Sequence, residues 1–240
     1  MEEDVRLNKY LSSMGVCSRR EADRLIESGA VTVDGRKAVT GQKVMPGQKV
    51  AVKGRPVEGR PDPVLLLVNK PAGVVCTTAR FEGEINIVDM VDYPTRVYPI
   101  GRLDKNSEGL ILMTDQGDLV NKISRRANAH EKEYAVKVDK PVTPQFIQAM
   151  ESGVPILDTV TAPCKVRKTG TRSFNIILTQ GLNRQIRRMC EYFDYRVRSL
   201  KRIRVMSFTL DGIPSGGFRE ATPEEWERLK KELEGSSNGH

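Results

Sequence analysis

At 240 residues, with 38% hydrophobic and 29% charged residues, the chain can bury a sizeable core and lacks the profile of a disordered or fibrous protein. No run approaches the ~18 apolar residues of a membrane span, and the acidic start Met1-Glu2-Glu3-Asp4 is unlike a secretory signal, so a cytoplasmic protein is expected. The net charge of +8 is focused: residues 1–60 carry 12 Lys/Arg against 8 Asp/Glu, and residues 181–204 carry 8 against 2, which points to a polyanionic partner.

In chain order, Leu7, Tyr10, Leu11 and Met14 fall at helical spacing, and Gly15 stops that helix. Ser18-Arg19-Arg20-Glu21 reads as a capping box opening a second helix, with Ala22, Leu25 and Ile26 inward and Gly29 at its end. Two short strands are predicted around the Asp34-Gly35 turn of 31–39, and another over 49–52. Arg6, Lys9, Arg19, Arg20 and Arg24 lie off the apolar stripe, which on any single helix is a solvated basic face. Together the elements resemble the S4 RNA-binding domain. The likeness is carried by Arg6-Leu7-Asn8-Lys9-Tyr10-Leu11 and Ser18-Arg19-Arg20-Glu21-Ala22, with Asn8 where such domains commonly have Asp. It implies that residues 1–60 grip RNA through those five cations.

Residues 54–63 hold three prolines and two glycines, a linker composition that places the boundary near residue 60. Beyond it, strands are predicted over 64–68, 109–113, 134–138, 174–178 and 205–210, and helices over 118–124, 144–150, 184–193 and 223–233, the last capped by Thr222. Strands and helices do not alternate regularly. The expected catalytic domain, 61–234, is therefore α+β, with a mainly antiparallel mixed sheet flanked by helices, followed by a disordered tail over 235–240. Cys17, Cys76, Cys164 and Cys190 are scattered, which suggests reduced thiols and neither a disulfide framework nor a zinc site.

Four segments stand out: Asn69-Lys70-Pro71-Ala72-Gly73, Gly101-Arg102-Leu103-Asp104, Lys132-Glu133-Tyr134 and Asn183-Arg184-Gln185-Ile186-Arg187-Arg188-Met189. Singly they are ordinary: Asp104 a surface carboxylate, Tyr134 a core tyrosine, and the three arginines phosphate ligands. In this order and at these separations they resemble the RsuA-type RNA pseudouridine synthases, over nearly the whole chain. Gly181-Leu182-Asn183-Arg184-Gln185-Ile186-Arg187-Arg188-Met189-Cys190 is most similar to the branch that modifies large-subunit ribosomal RNA.

The resemblance implies an isomerase that needs no cofactor or metal. It detaches uracil from its ribose, turns it, and rejoins it through carbon 5. Asp104 would attack the anomeric carbon or take a proton from the sugar, Arg187 would keep that carboxylate charged, and Tyr134 would stack on a flipped-out uracil. Arg102, Arg184 and Arg188 would hold RNA phosphates, with Arg196, Arg198, Lys201, Arg202 and Arg204 extending the basic track. The expected substrate is ribosomal RNA, with transfer RNA a second candidate, and the chain is expected to act as a monomer. A non-catalytic RNA-binding protein would share the S4 domain without needing Asp104, Tyr134 and Arg187 together. A glycosidase or nucleoside hydrolase would need a second carboxyl, for which Glu108 and Asp115 lie nearest in sequence.

Overall fold

The computed structural model describes residues 4–58 and 62–236. The chain divides into two compact units, Met1–Pro63 and Val64–His240.

In the first unit, β1 (Val5–Arg6), α1 (Leu7–Ser13) and α2 (Arg19–Glu27) precede β2 (Val31–Val33), β3 (Arg36–Lys37), β4 (Lys43–Val44), β5 (Val50–Val52) and β6 (Arg55–Pro56). Ser18 caps α2, its hydroxyl accepting from Glu21 N at 3.1 Å, a contact worth about 1 kcal/mol. Leu7, Leu11, Ala22 and Ile26 turn inward onto Val31, Val33, Val44 and Val50, which leaves the arginines of the helix pair outside. Asp34 and Gly35 both take positive φ, 50° and 77°, as the tight turn between β2 and β3 demands.

The segment 54–63, expected to be linker, starts as structure. Lys53 and Gly54 (φ 49° and 76°) form a second tight turn, and β6 pairs with β5. Pro56 is tolerated because β6 is an edge strand, where no N–H is required of it. Residues 59–61 of that segment lie outside the described residues.

The second unit is built on β7 (Leu65–Lys70), β8 (Tyr98–Ile100), β9 (Glu108–Thr114), β10 (Lys132–Val138), β11 (Pro155–Ile156), β12 (Thr159–Val160), β13 (Lys165–Gly170), β14 (Ser173–Leu178), β15 (Val197–Val205), β16 (Phe208–Thr209) and β17 (Phe218–Glu220). Its helices are α3 (Ile87–Val91), α4 (Gly117–Ser124), α5 (Pro144–Glu151), α6 (Gln185–Tyr192) and α7 (Pro223–Glu232). The large sheet runs β13-β14-β10-β15-β9-β7-β17, with β16 on β15 and β8 on β9. Every pairing in it is antiparallel except β15 with β9, where Lys201 and Arg202 lie beside Glu108 and Gly109. This is the expected α+β fold with a mixed, mainly antiparallel sheet.

Alternation explains the apolar runs. Leu65, Leu67, Leu110 and Leu112 face a core closed by α4 and α7, while Leu66, Val68, Ile111 and Met113 face a second one closed by α3. A third core joins β10, β13 and β14 to α5 and α6 through Val136, Phe146, Met150, Phe174, Ile176, Ile186 and Met189. Each such side chain contributes roughly 1.5–3 kcal/mol of burial.

The strand expected over 205–210 is a hairpin instead: Met206 takes φ 52° between β15 and β16, and the long strand lies earlier, at 197–205. Of the expected tail, Ser236 is within 3.1 Å of the His130 ring, and residues 237–240 lie outside the described residues. No helix of the described residues is long and apolar enough to cross a membrane.

Candidate active site

Asp104 sits between β8 and β9 in a loop tied down from several directions through its backbone. Ser107 N donates to Asp104 O (3.0 Å) and Gly73 N to Lys105 O (2.8 Å). Leu103 N donates to the Cys76 sulfur at 3.4 Å. Lys70 is fully buried, and its ammonium donates to the carbonyls of Pro71, Val74 and Lys105 at 2.8, 2.8 and 3.2 Å. Burial pushes that ammonium below the usual lysine range, and the charges of Cys76, Glu108 and Asp104 oppose the shift. The lysine therefore staples the Pro71 loop to the Asp104 loop, a structural role. The Asp104 carboxylate, half-buried, takes no hydrogen bond or ion pair from any described residue, so a rigid loop presents an uncommitted acid.

Asp104 opens into a cleft of about 500 Å³, lined also by Arg102, Lys132, Tyr134, Arg184 and Arg202, a size typical of ligand sites. Four cations and one carboxylate face it, and Asp104 is the one acidic residue among the described residues of its wall. Glu108 is not in the wall. Asp115 is buried elsewhere, accepting from Val64 N (3.0 Å) and the Gln116 amide (2.8 Å), so among the described residues the cleft wall offers no second carboxyl for a hydrolase.

Tyr134 lies on β10 opposite Ile176 of β14 and Arg202 of β15, half-buried and packed against two of the three cores. Its ring is thus fixed at the cleft rather than lost in the interior. Lys132, two residues earlier on the same face, donates to His130 O at 3.1 Å. Burial, and after it repulsion from Arg202, brings the Lys132 ammonium down to about 8.

That shift has a readable consequence. The folded value lies below the unfolded 10.5, so the charged lysine weighs against folding below pH 8 and stability rises as pH climbs from 8 to 10.5. Lys132→Met should be more stable than the parent at about pH 7 in urea denaturation, with the gap closing toward about pH 10. A gap that stays constant with pH would show that Lys132 does not titrate in this way.

Arg187 departs from expectation. It forms no ion pair with Asp104 and is not in the cleft wall; its guanidinium donates to Asn106 O at 3.3 Å and Val197 O at 3.5 Å. Arg184 takes a left-handed conformation (φ 50°, ψ 35°) as N-cap of α6, which buries Gln185, Ile186, Met189 and Cys190. Arg187 lies off that buried set and reaches the loop backbone at Asn106, two residues along from the carboxylate. Its Nε is buried without a partner among the described residues.

Arg188 also stays out of the cleft, donating to Asn183 O (3.1 Å) and Oδ1 (3.2 Å), whereas Arg102 and Arg184 line it and are exposed. Of the basic track, Arg196 and Arg198 are exposed, but Arg202 is only 2% exposed and Arg204 is neutralised by Glu131 (3.0 Å) and Glu133 (3.1 Å). A register shift between β10 and β15 accounts for both, setting Arg202 opposite Tyr134 and Arg204 opposite Glu133, on the other face of the sheet.

In the first unit Arg6, Lys9 and Arg19 share a small cleft of about 230 Å³. Arg20 and Arg24 lie outside that cleft, Arg24 in an exposed pair with Glu21 at 3.1 Å that adds little stability. Asn8, the departure noted in the helix motif, donates to Asp23 at 2.9 Å and so joins α1 to α2. Burial raises Cys164 to about 11 and Cys190 to about 12, which leaves both protonated and unreactive.

Sequence reasoning missed Gln180 and Ser107 and misplaced Arg202. All three line the cleft, are at least nine-tenths buried, and carry polar atoms with no partner among the described residues. A glutamine after a strand and a serine in a loop give no signal in sequence; only their convergence does.

Residues 64–192 match the family model of RNA pseudouridylate synthase, and residues 5–50 match that of the S4 domain. The chain is 55% identical to the dual-specificity RNA pseudouridine synthase RluF of Escherichia coli K12, over 99% of this chain and 82% of that protein. It is 36% identical to the ribosomal large subunit pseudouridine synthase B of Bacillus subtilis, over 94% of this chain and 95% of that one. Among solved structures, a pseudouridylate synthase aligns with a TM-score of 0.69 at 25% identity, covering 94% of this chain and 99% of the other.

Proposed function

The chain belongs to the RNA pseudouridylate synthase family, with an S4 domain ahead of the synthase unit, and is an isomerase of uridine in RNA; we propose that it acts on large-subunit ribosomal RNA, with Asp104 working on the ribose of a flipped-out uridine. The observation that carries this reading is the cleft in which one unpaired carboxylate and one fixed aromatic ring stand among four cations. The reaction breaks the bond from C1′ to N1, forms one from C1′ to C5, moves the C5 proton away and leaves a proton on N1. Nothing enters or leaves on balance. A carboxylate suffices to open it, as nucleophile at C1′ or as base on the sugar.

Tyr134 stacks on the extruded base, Arg102 and Arg184 hold flanking phosphates, and Arg187 steadies Asp104 by way of the Asn106 carbonyl. In the S4 domain Arg6, Lys9, Arg19, Arg20 and Arg24 supply sequence-independent grip, while Arg188 braces the start of α6. The ribosomal target is supported by the names of the relatives, and the dual specificity in one of them points to a second RNA, for which our candidate is transfer RNA. The protein works in the cytoplasm as a monomer on this reading.

The test is direct. Purified protein incubated with a large-subunit ribosomal RNA transcript should yield pseudouridine and no free uracil. Tyr134→Phe should keep activity within about tenfold, because the stacking face survives, and Tyr134→Ala should lose on the order of 10²-fold in kcat/KM. Equal losses in both variants would remove stacking from the role of Tyr134.

A further inference from the structure

Charge in the cleft explains why RNA enters, but not why uracil is accepted and cytosine refused. Two residues of the wall bear on that. Gln180 is 4% exposed and Arg202 2% exposed, and neither the Gln180 Oε1 and Nε2 nor the Arg202 Nη2 has a partner among the described residues. Buried polar groups left in this condition weigh against the free protein, and native folds keep few of them. Arg202 holds itself in place through Nε, which donates to Leu110 O at 2.6 Å, and its Nη2 is left buried and unpartnered among the described residues.

Position adds to this. Arg202 is registered directly opposite Tyr134, so the two side chains stand beside each other on one face of the sheet. Gln180 follows Leu178, which is registered opposite Lys132, two residues from Tyr134 on that strand. The residues that carry the unpartnered atoms therefore line the same cleft as the ring on which the base would stack.

Resting on the isomerase reading above, we infer that Gln180 and Arg202 read the edge of the flipped uracil. The Gln180 Oε1 accepts from N3–H, its Nε2 donates to O2, and the Arg202 Nη2 donates to O4. Both contacts disfavour cytosine. As placed, the amide sets its Oε1 against the bare N3 of cytosine, and turned over it gives Nε2 to N3 but sets Oε1 against O2, a second acceptor. A guanidinium has donors only and cannot turn to suit the 4-amino group of cytosine, which is itself a donor. Gln180 discriminates at N3, and Arg202 at position 4.

The experiment uses the whole chain and a large-subunit ribosomal RNA transcript in which a minor fraction of uridine is replaced by 2-thiouridine or 4-thiouridine. Products are separated by liquid chromatography, so that competition within one tube gives relative kcat/KM. The parent protein should disfavour each thio base by about tenfold, sulfur being a poor acceptor. In Gln180→Met the 2-thio penalty should vanish and the 4-thio penalty persist, with overall kcat/KM down about 10- to 100-fold. Gln180→Met should also melt at the parent temperature or above, because it removes two unsatisfied buried atoms, whereas a structural glutamine would lower it.

A 2-thio penalty unchanged in Gln180→Met, or a lower melting temperature with undiminished kcat/KM, overturns the inference while leaving the isomerase reading intact. Absence of any pseudouridine from the parent protein overturns that reading and this inference with it.

Discussion

Asp104→Asn is expected to lower pseudouridine formation by at least ~10³-fold while leaving the fold and RNA binding in place. Asparagine keeps the shape of the side chain and removes its charge, its nucleophilicity and its basicity together. The fold should not respond, because the carboxylate makes no bond to any described residue and the loop is held by backbone contacts and by Lys70. Unfolding free energy should stay within about 0.5 kcal/mol of the parent. RNA affinity should hold or improve, since the substitution deletes the one negative charge in a wall bearing four cations. Three measurements decide the matter: product nucleoside, urea midpoint, and retention of transcript at fixed salt. Product within tenfold of the parent would remove Asp104 from the mechanism.

How far such a residue could be seen in sequence depends on what kind of signal it left. Buried strands announce themselves, because β7 and β9 are covered on both faces and read as unbroken apolar runs. β15 runs through the middle of the same sheet, yet Arg198, Lys201, Arg202 and Arg204 made 197–205 look like a charged surface track. Its buried charges are satisfied or used locally, Arg204 by two glutamates and Arg202 at the cleft, which composition cannot express. Caps were legible where they are side-chain chemistry, as at Ser18 and Thr222, and not where they are backbone geometry, as at left-handed Arg184.

The candidate site divides along the same line. Asp104 and Tyr134 were reachable because their segments carry a recognisable order along the chain, and the structure brings both to one cleft. The expected pairing of Arg187 with Asp104 rested on the resemblance and not on spacing, and in the structure the guanidinium lies against the loop backbone instead. Gln180 and Ser107 needed three dimensions, since their distinguishing property is the lack of a partner.

The second large effect is expected at Gly109, which joins the Asp104 loop to the sheet. Gly109 lies at the single parallel contact of the sheet, beside Arg202, with φ 107°. A Cβ there would stand 2.2 Å from the Arg202 carbonyl oxygen and 2.7 Å from its nitrogen, backbone atoms that cannot move aside cheaply. Gly109→Ala therefore incurs about 1–3 kcal/mol of backbone strain and a further ~1–3 kcal/mol to push the neighbouring strands apart. Together these are a large fraction of the roughly 5–15 kcal/mol that holds a domain folded. The melting temperature should fall by about 10 °C.

Activity should fall further than stability alone explains. β9 carries the Asp104 loop, whereas β15 and β10 carry Arg202 and Tyr134, so separating β9 from β15 moves the acid away from the stacking ring. Gly117→Ala is the control: Gly117 opens α4 without a positive φ, with nothing within 4 Å of its added Cβ, so alanine should be neutral or stabilising there. If Gly109→Ala melts and turns over like Gly117→Ala, the two halves of the cleft are not held in register at this seam.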